Sequence, residues 1–286
     1  MNIRKISLFT FLTAVPGLMF AEAKVNIAED DASYGNYNNG WGSDQNSGGG
    51  FGPWTLVSTA TDESKQTWAG FYVAPSSNHG LDTIAYNGKA WGMYANGQRF
   101  EETIAFRDLS RPLESRDTFS LFFEFDGFST KWSADTLRPG RAGFALRVAD
   151  SPDTLDDYRK GARFIFETVD SSGNYIVSDS VNEWNTKVKV DPKGAMVSVT
   201  PRGFYSYDLE IKTLGDGVMH KFPARRFAGK ARDLVQNIAI FALNTETNDV
   251  YFSGLQVARP LPPADEAVKS LVSKSKPATT DKSDTN

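Results

Sequence analysis

Residues Thr118–Phe128 read TFSLFFEFDGF, and their alternation decides the fold. Successive side chains of an extended chain point to opposite faces, so Phe119, Leu121, Phe123 and Phe125 share one face. The other face carries Thr118, Ser120, Glu124 and Asp126, with Phe122 interrupting it. The same design recurs at Ala142–Ala149 (AGFALRVA), Ala162–Val169 (ARFIFETV), Asn237–Asn244 (NIAIFALN) and Val250–Val257 (VYFSGLQV). Ser206–Thr213 (SYDLEIKT) sends Tyr207, Leu209 and Ile211 inward. Further candidates lie at Trp68–Val73, Ala90–Tyr94, Glu102–Phe106 and Tyr175–Ser178. About ten to twelve strands, joined by Gly, Asn, Asp or Pro, predict an all-β sandwich. Strands do not alternate with helices, which excludes an α/β fold, and no repeat suggests a propeller or solenoid.

Outward from this core, composition bounds the rest. The 286 residues are 40% apolar and 23% charged, a globular balance that excludes collagen-like, coiled-coil and largely disordered classes. Twenty Phe, ten Tyr and six Trp favour strands over helices. A net charge of −4 and a pI near 5.4 offer no basic surface for nucleic acid or anionic lipid. Residues 1–23 read as a cleaved secretory signal: Arg4 and Lys5, an apolar run from Ile6 to Phe20 broken by Pro16-Gly17, then Ala21-Glu22-Ala23. That run falls short of the roughly 20 residues a membrane helix needs, and no later window suits a span. No Cys exists to carry a lipid anchor or a disulfide, so the core alone holds the fold. A secreted or periplasmic bacterial protein is expected. Residues 24–53 read as an arm packed on the domain, because Tyr34–Gly52 holds four aromatics, too many for a free linker. Residues 54–258 form the sandwich. Residues 259–286 open on Arg259-Pro260-Leu261-Pro262-Pro263 and then turn polar, a composition that predicts a disordered tail, with a short helix allowed at Ala264–Ser273.

Three segments carry a family resemblance: Gly48–Leu56 (GGGFGPWTL), Gly70–Val73 (GFYV) and Gly88–Asn96 (GKAWGMYAN). With the closing Asn248–Leu255 (NDVYFSGL), the chain from about 38 to 258 resembles a group of exported bacterial surface proteins. Their shared domain is similar to the concanavalin A-type jelly roll of lectins, carbohydrate-binding modules and glucanases. The resemblance implies that architecture, and most such proteins have no assigned activity.

Glucanases of that fold carry acids at i, i+2 and i+4 of one strand, as nucleophile and general acid. Glu124 and Asp126 occupy the first two places, but the third is Phe128, so the proton donor is missing. The simpler reading puts both acids on the wet face of an amphipathic strand. His79 and His220 stand in polar loop-like sequence without metal-ligand spacing, and no G-x-S-x-G elbow supports a Ser-His-Asp triad. Gly48–Gly50 lacks the context of a phosphate loop. A structural Ca²⁺ suits hard oxygen ligands, and Asp249 could supply one if it met Asp30 or Asp31, although the simpler reading makes these solvated turn acids, since no D-x-[DN]-x-[DN]-G loop is present. Trp54, Trp68 and Trp91 read as core. Trp132 and Trp184 stand in polar, loop-like sequence and Trp41 is intermediate, so these three are the expected sugar-stacking platforms. The chain is therefore read as a non-catalytic binder of polysaccharide or surface glycan. A structural or adhesive surface protein that self-associates is the first alternative, and a glycoside hydrolase or lyase using Glu124 and Asp126 the second.

Overall fold

The computed structural model describes residues 23–59, 68–79, 81–85, 87–96, 100–125, 127–128, 139–245 and 247–261. Residues 1–22 of the expected signal, residues 262–286 of the expected tail, Asp126 and Trp132 lie outside these residues. Fifteen strands follow in order: β1 Lys24–Asp30, β2 Phe51–Ser58, β3 Ala69–Pro75, β4 Lys89–Ala95, β5 Glu102–Leu109, β6 Thr118–Phe125, β7 Arg141–Val148 and β8 Ala162–Val169, then β9 Asn174–Asp179, β10 Asn182–Lys189, β11 Ala195–Pro201, β12 Ser206–Thr213, β13 Met219–Arg226, β14 Val235–Leu243 and β15 Val250–Pro260. A single helical turn, α1, spans Ser76–His79. Val25–Arg259 forms one compact unit. The other unit, Met1–Lys24 with Pro260–Asn286, is described only at its four inner residues, where Leu261 N donates to Ala23 O at 2.7 Å.

All pairings between named strands for which a register is given are antiparallel, and two sheets result. The first runs β13-β12-β11-β6-β15-β4-β3, with β1 also on β15; the second runs β10-β9-β8-β7-β14-β5-β2. The chain crosses between sheets eight times, at β1 to β2, β2 to β3, β4 to β5, β5 to β6, β6 to β7, β10 to β11, β13 to β14 and β14 to β15. This is a jelly-roll β-sandwich, with more strands than the ten to twelve expected. The inward faces meet in one core. Phe119, Phe123 and Phe125 of β6 face Phe144 of β7 and Phe166 of β8, with Phe123 and Phe166 edge-to-face at 5.9 Å.

The two sheets differ on their outer faces, and the sequence carries the reason. In β12 burial alternates strictly, one face wet. In β7, β8 and β14 burial is nearly continuous, because the segment 149–161 lies over the outer face of the second sheet. There Tyr158 stacks on Phe241 at 4.0 Å, above Ile104, Phe106 and Ile165. The segment is held by Arg147, which donates to Pro152 O and Lys160 O, and by Asp156 N, which donates to Glu102.

Residues 24–53 are not wholly an unstructured arm: β1 and the start of β2 lie within them. Tyr37 is fully buried, and its hydroxyl donates to Asp30 at 2.5 Å. The same carboxylate is paired with Arg107 of β5, whose guanidinium stacks on Phe51 and Trp54. Burial pushes the Asp30 carboxyl above the usual carboxylate range, although Arg107 and Tyr37 pull it down.

Candidate functional site

Sequence context placed some tryptophans correctly and others not. Trp54 and Trp91 are fully buried, as expected. Trp68, expected in the core, is 65% exposed. Trp184, expected in a loop, lies in β10 and is committed to the protein. Arg225 covers its ring at 4.1 Å, Phe222 packs edge-on at 5.3 Å, and its indole N–H donates to Asp179. Trp41 is buried among Trp54, Phe71 and Trp91, so neither of its faces offers a stacking platform.

Trp68 heads a patch on the outer face of the first sheet. Backbone pairing continues one step past Ala69↔Ala95, since Asn96 N donates to Trp68 O at 2.7 Å. By alternation Trp68, Gly70 and Tyr72 share the outer face of β3, and Gly92, Tyr94 and Asn96 that of β4. The glycines make the floor. A Cβ on Gly92 would lie 2.5 Å from the Tyr72 ring, and one on Gly70 would lie 2.6 Å from the Tyr94 hydroxyl. Each tyrosine thus lies across the glycine opposite it. The flat aromatic surface depends on both.

Polar groups stand beside this floor. The Tyr72 hydroxyl donates to Asp249 at 2.5 Å and stands 2.9 Å from the Tyr251 hydroxyl. Burial first, then these bonds, push the Tyr72 pKa up, so its phenol stays a neutral donor. Asn96 Nδ2 donates to the other Asp249 oxygen at 3.0 Å, and Asn96 Oδ1 accepts from Thr245 at 3.0 Å. Behind them Glu101, almost fully buried, accepts the Trp68 backbone N–H on both carboxylate oxygens at 3.0 and 3.1 Å. That clamp fixes where the exposed indole stands. Tyr72, Tyr94, Asn96 and Asp249 are all half-buried, each with some surface open. A carboxylate retains lone pairs and an amide a second N–H after such bonds, so the patch keeps both donors and acceptors.

The expected catalytic pair fares differently. Glu124 stands opposite Tyr251 on the same sheet face but is buried, with Gly194 close against its Cβ. Phe128, in the third glucanase position, packs on Phe125 at 4.7 Å. His220 lies in strand β13 rather than in a loop.

The suggested meeting of Asp249 with the mature N-terminus is not seen. Asp249 does not meet Asp30 or Asp31. Asp30 is paired with Arg107, and Asp31 reaches Gly254, five residues along β15 from Asp249, about 16 Å at strand rise. Among the described residues no three His, Asp or Glu side chains are placed to hold a metal ion. Among the described residues, Asp249 accepts from the Tyr72 phenol and the Asn96 amide.

No family model matches the chain, and no curated protein matches it. Solved structures do. The chain is similar to the VIP36 exoplasmic/lumenal domain in its Ca²⁺-bound form, at 9% identity and TM-score 0.40 over 68% of this chain and 84% of that one. It is also similar to lectin II from Ulex europaeus, at 10% identity and TM-score 0.38 over 72% and 98%. A third match is the Emp46p carbohydrate recognition domain in its potassium-bound form, at 10% identity and TM-score 0.40 over 73% and 89%. Among the described residues no helix is long and apolar enough to cross a membrane.

Proposed function

We propose that this is an exported, non-catalytic carbohydrate-binding protein of a bacterial envelope or extracellular matrix. Its sugar face is the corner built by Trp68, Tyr72, Tyr94, Asn96 and Asp249. The observation that carries this reading is a tryptophan 65% exposed and anchored through its own backbone by a buried carboxylate. Sugars stack their C–H faces on aromatic planes, while planar acids and amides take the hydroxyls. This corner supplies both within one strand repeat. Export is supported by the charged, apolar and small-residue order of residues 1–23.

The test is a glycan array and polysaccharide pull-down with wild type and Trp68→Ala, each with Ca²⁺ and with chelator. Loss of one stacked ring is expected to weaken binding by about 5- to 150-fold, by analogy with base–aromatic stacking. Binding by wild type that is unaffected in Trp68→Ala would overturn the site, and no binding at all would overturn the function. The adhesive reading keeps one supporting observation: Phe204 and Tyr205, at the β11–β12 turn, are 62% and 64% exposed. Silence on the array with concentration-dependent self-association would favour it.

A further inference from the structure

The end of the sandwich away from the Trp68 corner displays apolar side chains on two neighbouring turns. Phe204 and Tyr205 stand in the β11–β12 turn, and Val181, in the β9–β10 turn, is 57% exposed. Along β6, Phe119 pairs with Val199 near these turns and Phe125 with Val250 near the Trp68 corner, so the two ends lie at least about 20 Å apart at strand rise. The chain leaving β13 stitches the turns together: Arg226 O accepts from Ser180 N at 3.1 Å, and Phe227 N donates to Tyr205 O at 2.9 Å. Buried Arg163 braces them from behind. Its guanidinium donates to Phe204 O at 3.2 Å, and its carbonyl accepts from Ala228 N at 2.9 Å. The exposed rings therefore stand on a fixed backbone.

Beside them, Pro223–Arg232 (PARRFAGKAR) holds four cations and no acid. Arg225 is committed to Asp179 and to the Trp184 ring. Arg226, Lys230 and Arg232 are exposed and enter no ion pair among the described residues. Acids on the same strands and turns are already engaged: Asp179, Glu183 and Asp208 each by an arginine, and Asp233 by the Lys230 backbone N–H. The whole-chain charge of −4, which argued against a basic surface, averages over this end. Exposed apolar patches mark interaction sites. Rings this exposed project from the surface, as insertion into a soft interface requires. At a membrane, aromatic rings settle at headgroup level while nearby cations meet anionic lipid.

We infer that this end of the sandwich docks on an anionic lipid surface, with Val181, Phe204 and Tyr205 among the headgroups and Arg226, Lys230 and Arg232 against the phosphates. The inference stands independently of the glycan reading, whose corner lies at the opposite end. The test is co-sedimentation of the exported protein with vesicles of phosphatidylglycerol and phosphatidylcholine, and with vesicles of phosphatidylcholine alone. Wild type is expected to bind the anionic vesicles, less tightly as salt rises, and the neutral ones at least 10-fold more weakly. Replacing both rings, by Phe204→Ser with Tyr205→Ser, is expected to weaken binding at least 10-fold. Arg226→Gln and Lys230→Gln are each expected to weaken it about 5-fold. All four positions are exposed, so these variants keep the wild-type unfolding profile. Trp68→Ala binds vesicles as wild type does. Equal binding to both vesicles would overturn the inference. So would binding that depends on the cations and not on the rings, which would mark a site for a soluble polyanion. Absence of vesicle binding would also overturn it, and self-association lost with the two rings would then assign the patch to a second copy of the chain.

Discussion

Tyr72 lies flat because residue 92 has no side chain. A valine there would meet the Tyr72 ring well inside van der Waals contact, so the ring must lift off the sheet and lose Asp249. Gly92→Val is expected to cost about 1–3 kcal/mol, the usual overpacking range, and to weaken glycan binding with it; urea unfolding and affinity measured on one preparation check both. Trp184 behaves oppositely. Its ring is sandwiched by Arg225 and Phe222 and its N–H is spent on Asp179, beside the Tyr207 hydroxyl. Trp184→Ala is expected to lower stability by about 2–3 kcal/mol, below the range for a fully buried aromatic, and to leave glycan affinity unchanged. Immediate neighbours misplaced both tryptophans in the sequence reading, polar ones for Trp184 and apolar ones for Trp68. Asn182, Glu183 and Asn185 made Trp184 look looped, yet its parity with Thr186 and Val188 puts it on the inner face. Trp68 looked buried beside Phe71 and Val73, yet it shares parity with Gly70 and Tyr72, on the outer one. Alternation was the usable signal, and local polarity was not.

At the scale of elements, the strands with strong alternation or long apolar runs were legible: β6, β7, β8, β12, β14 and β15. The missed ones are defined by pairing more than by composition. β13 is an edge strand, mostly exposed and interrupted by Pro223, a residue tolerated there because one edge needs no partner. β11 carries only Val197 and Val199 as large inward residues, and is recognised by its register with β6 and β12. Register also explains a distant clasp. Val257 and Ala258 of β15 pair with Phe119 and Thr118 of β6, which brings Arg259 to Asp117. Burial raises the Asp117 pKa, but bonds from Arg259 and the Glu114 backbone, with the charges of Arg111 and Arg259, outweigh it and hold it below the ordinary value. A carboxyl with a depressed native pKa binds fewer protons folded than unfolded, so its stabilisation is present above about pH 4 and is lost as pH falls through the native value. Arg259→Gln is expected to cost about 1 kcal/mol at pH 7, modest because Arg259 is partly exposed, and to flatten the acid limb of the stability curve. Thermal unfolding of both proteins from pH 7 to pH 3 measures this; parallel acid limbs would show that the clasp contributes nothing.

Over the whole molecule, the sandwich has four sheet faces, and the chain itself claims most of them. The two inner faces are the core. On the outer face of the first sheet, Leu81 and Ile84 cover Ala74, Ala90 and Tyr251, with Thr83 donating to Lys193 O and Ser253 to Ile84 O. The outer face of the second sheet is roofed by the 149–161 segment. On that first outer face the wet side of β12 and the Trp68 corner stay open, whereas Glu124, legible as an acid on the same face, is buried. Composition could not show this, because a roofing loop and a free loop share the same Asp, Ser, Pro and Gly content. The roof makes the last prediction separable from the others. Tyr158→Ala removes the ring stacked on Phe241 and is expected to cost about 3–4 kcal/mol, within the range for a buried aromatic. Because the proposed sugar corner lies on the first sheet, glycan affinity measured below the variant's unfolding transition should match wild type. A ligand lying across the second sheet would behave in the reverse manner. Lifting the roof would then change affinity several-fold while Trp68→Ala left it untouched, and the binding face would have to be moved to the other side of the sandwich.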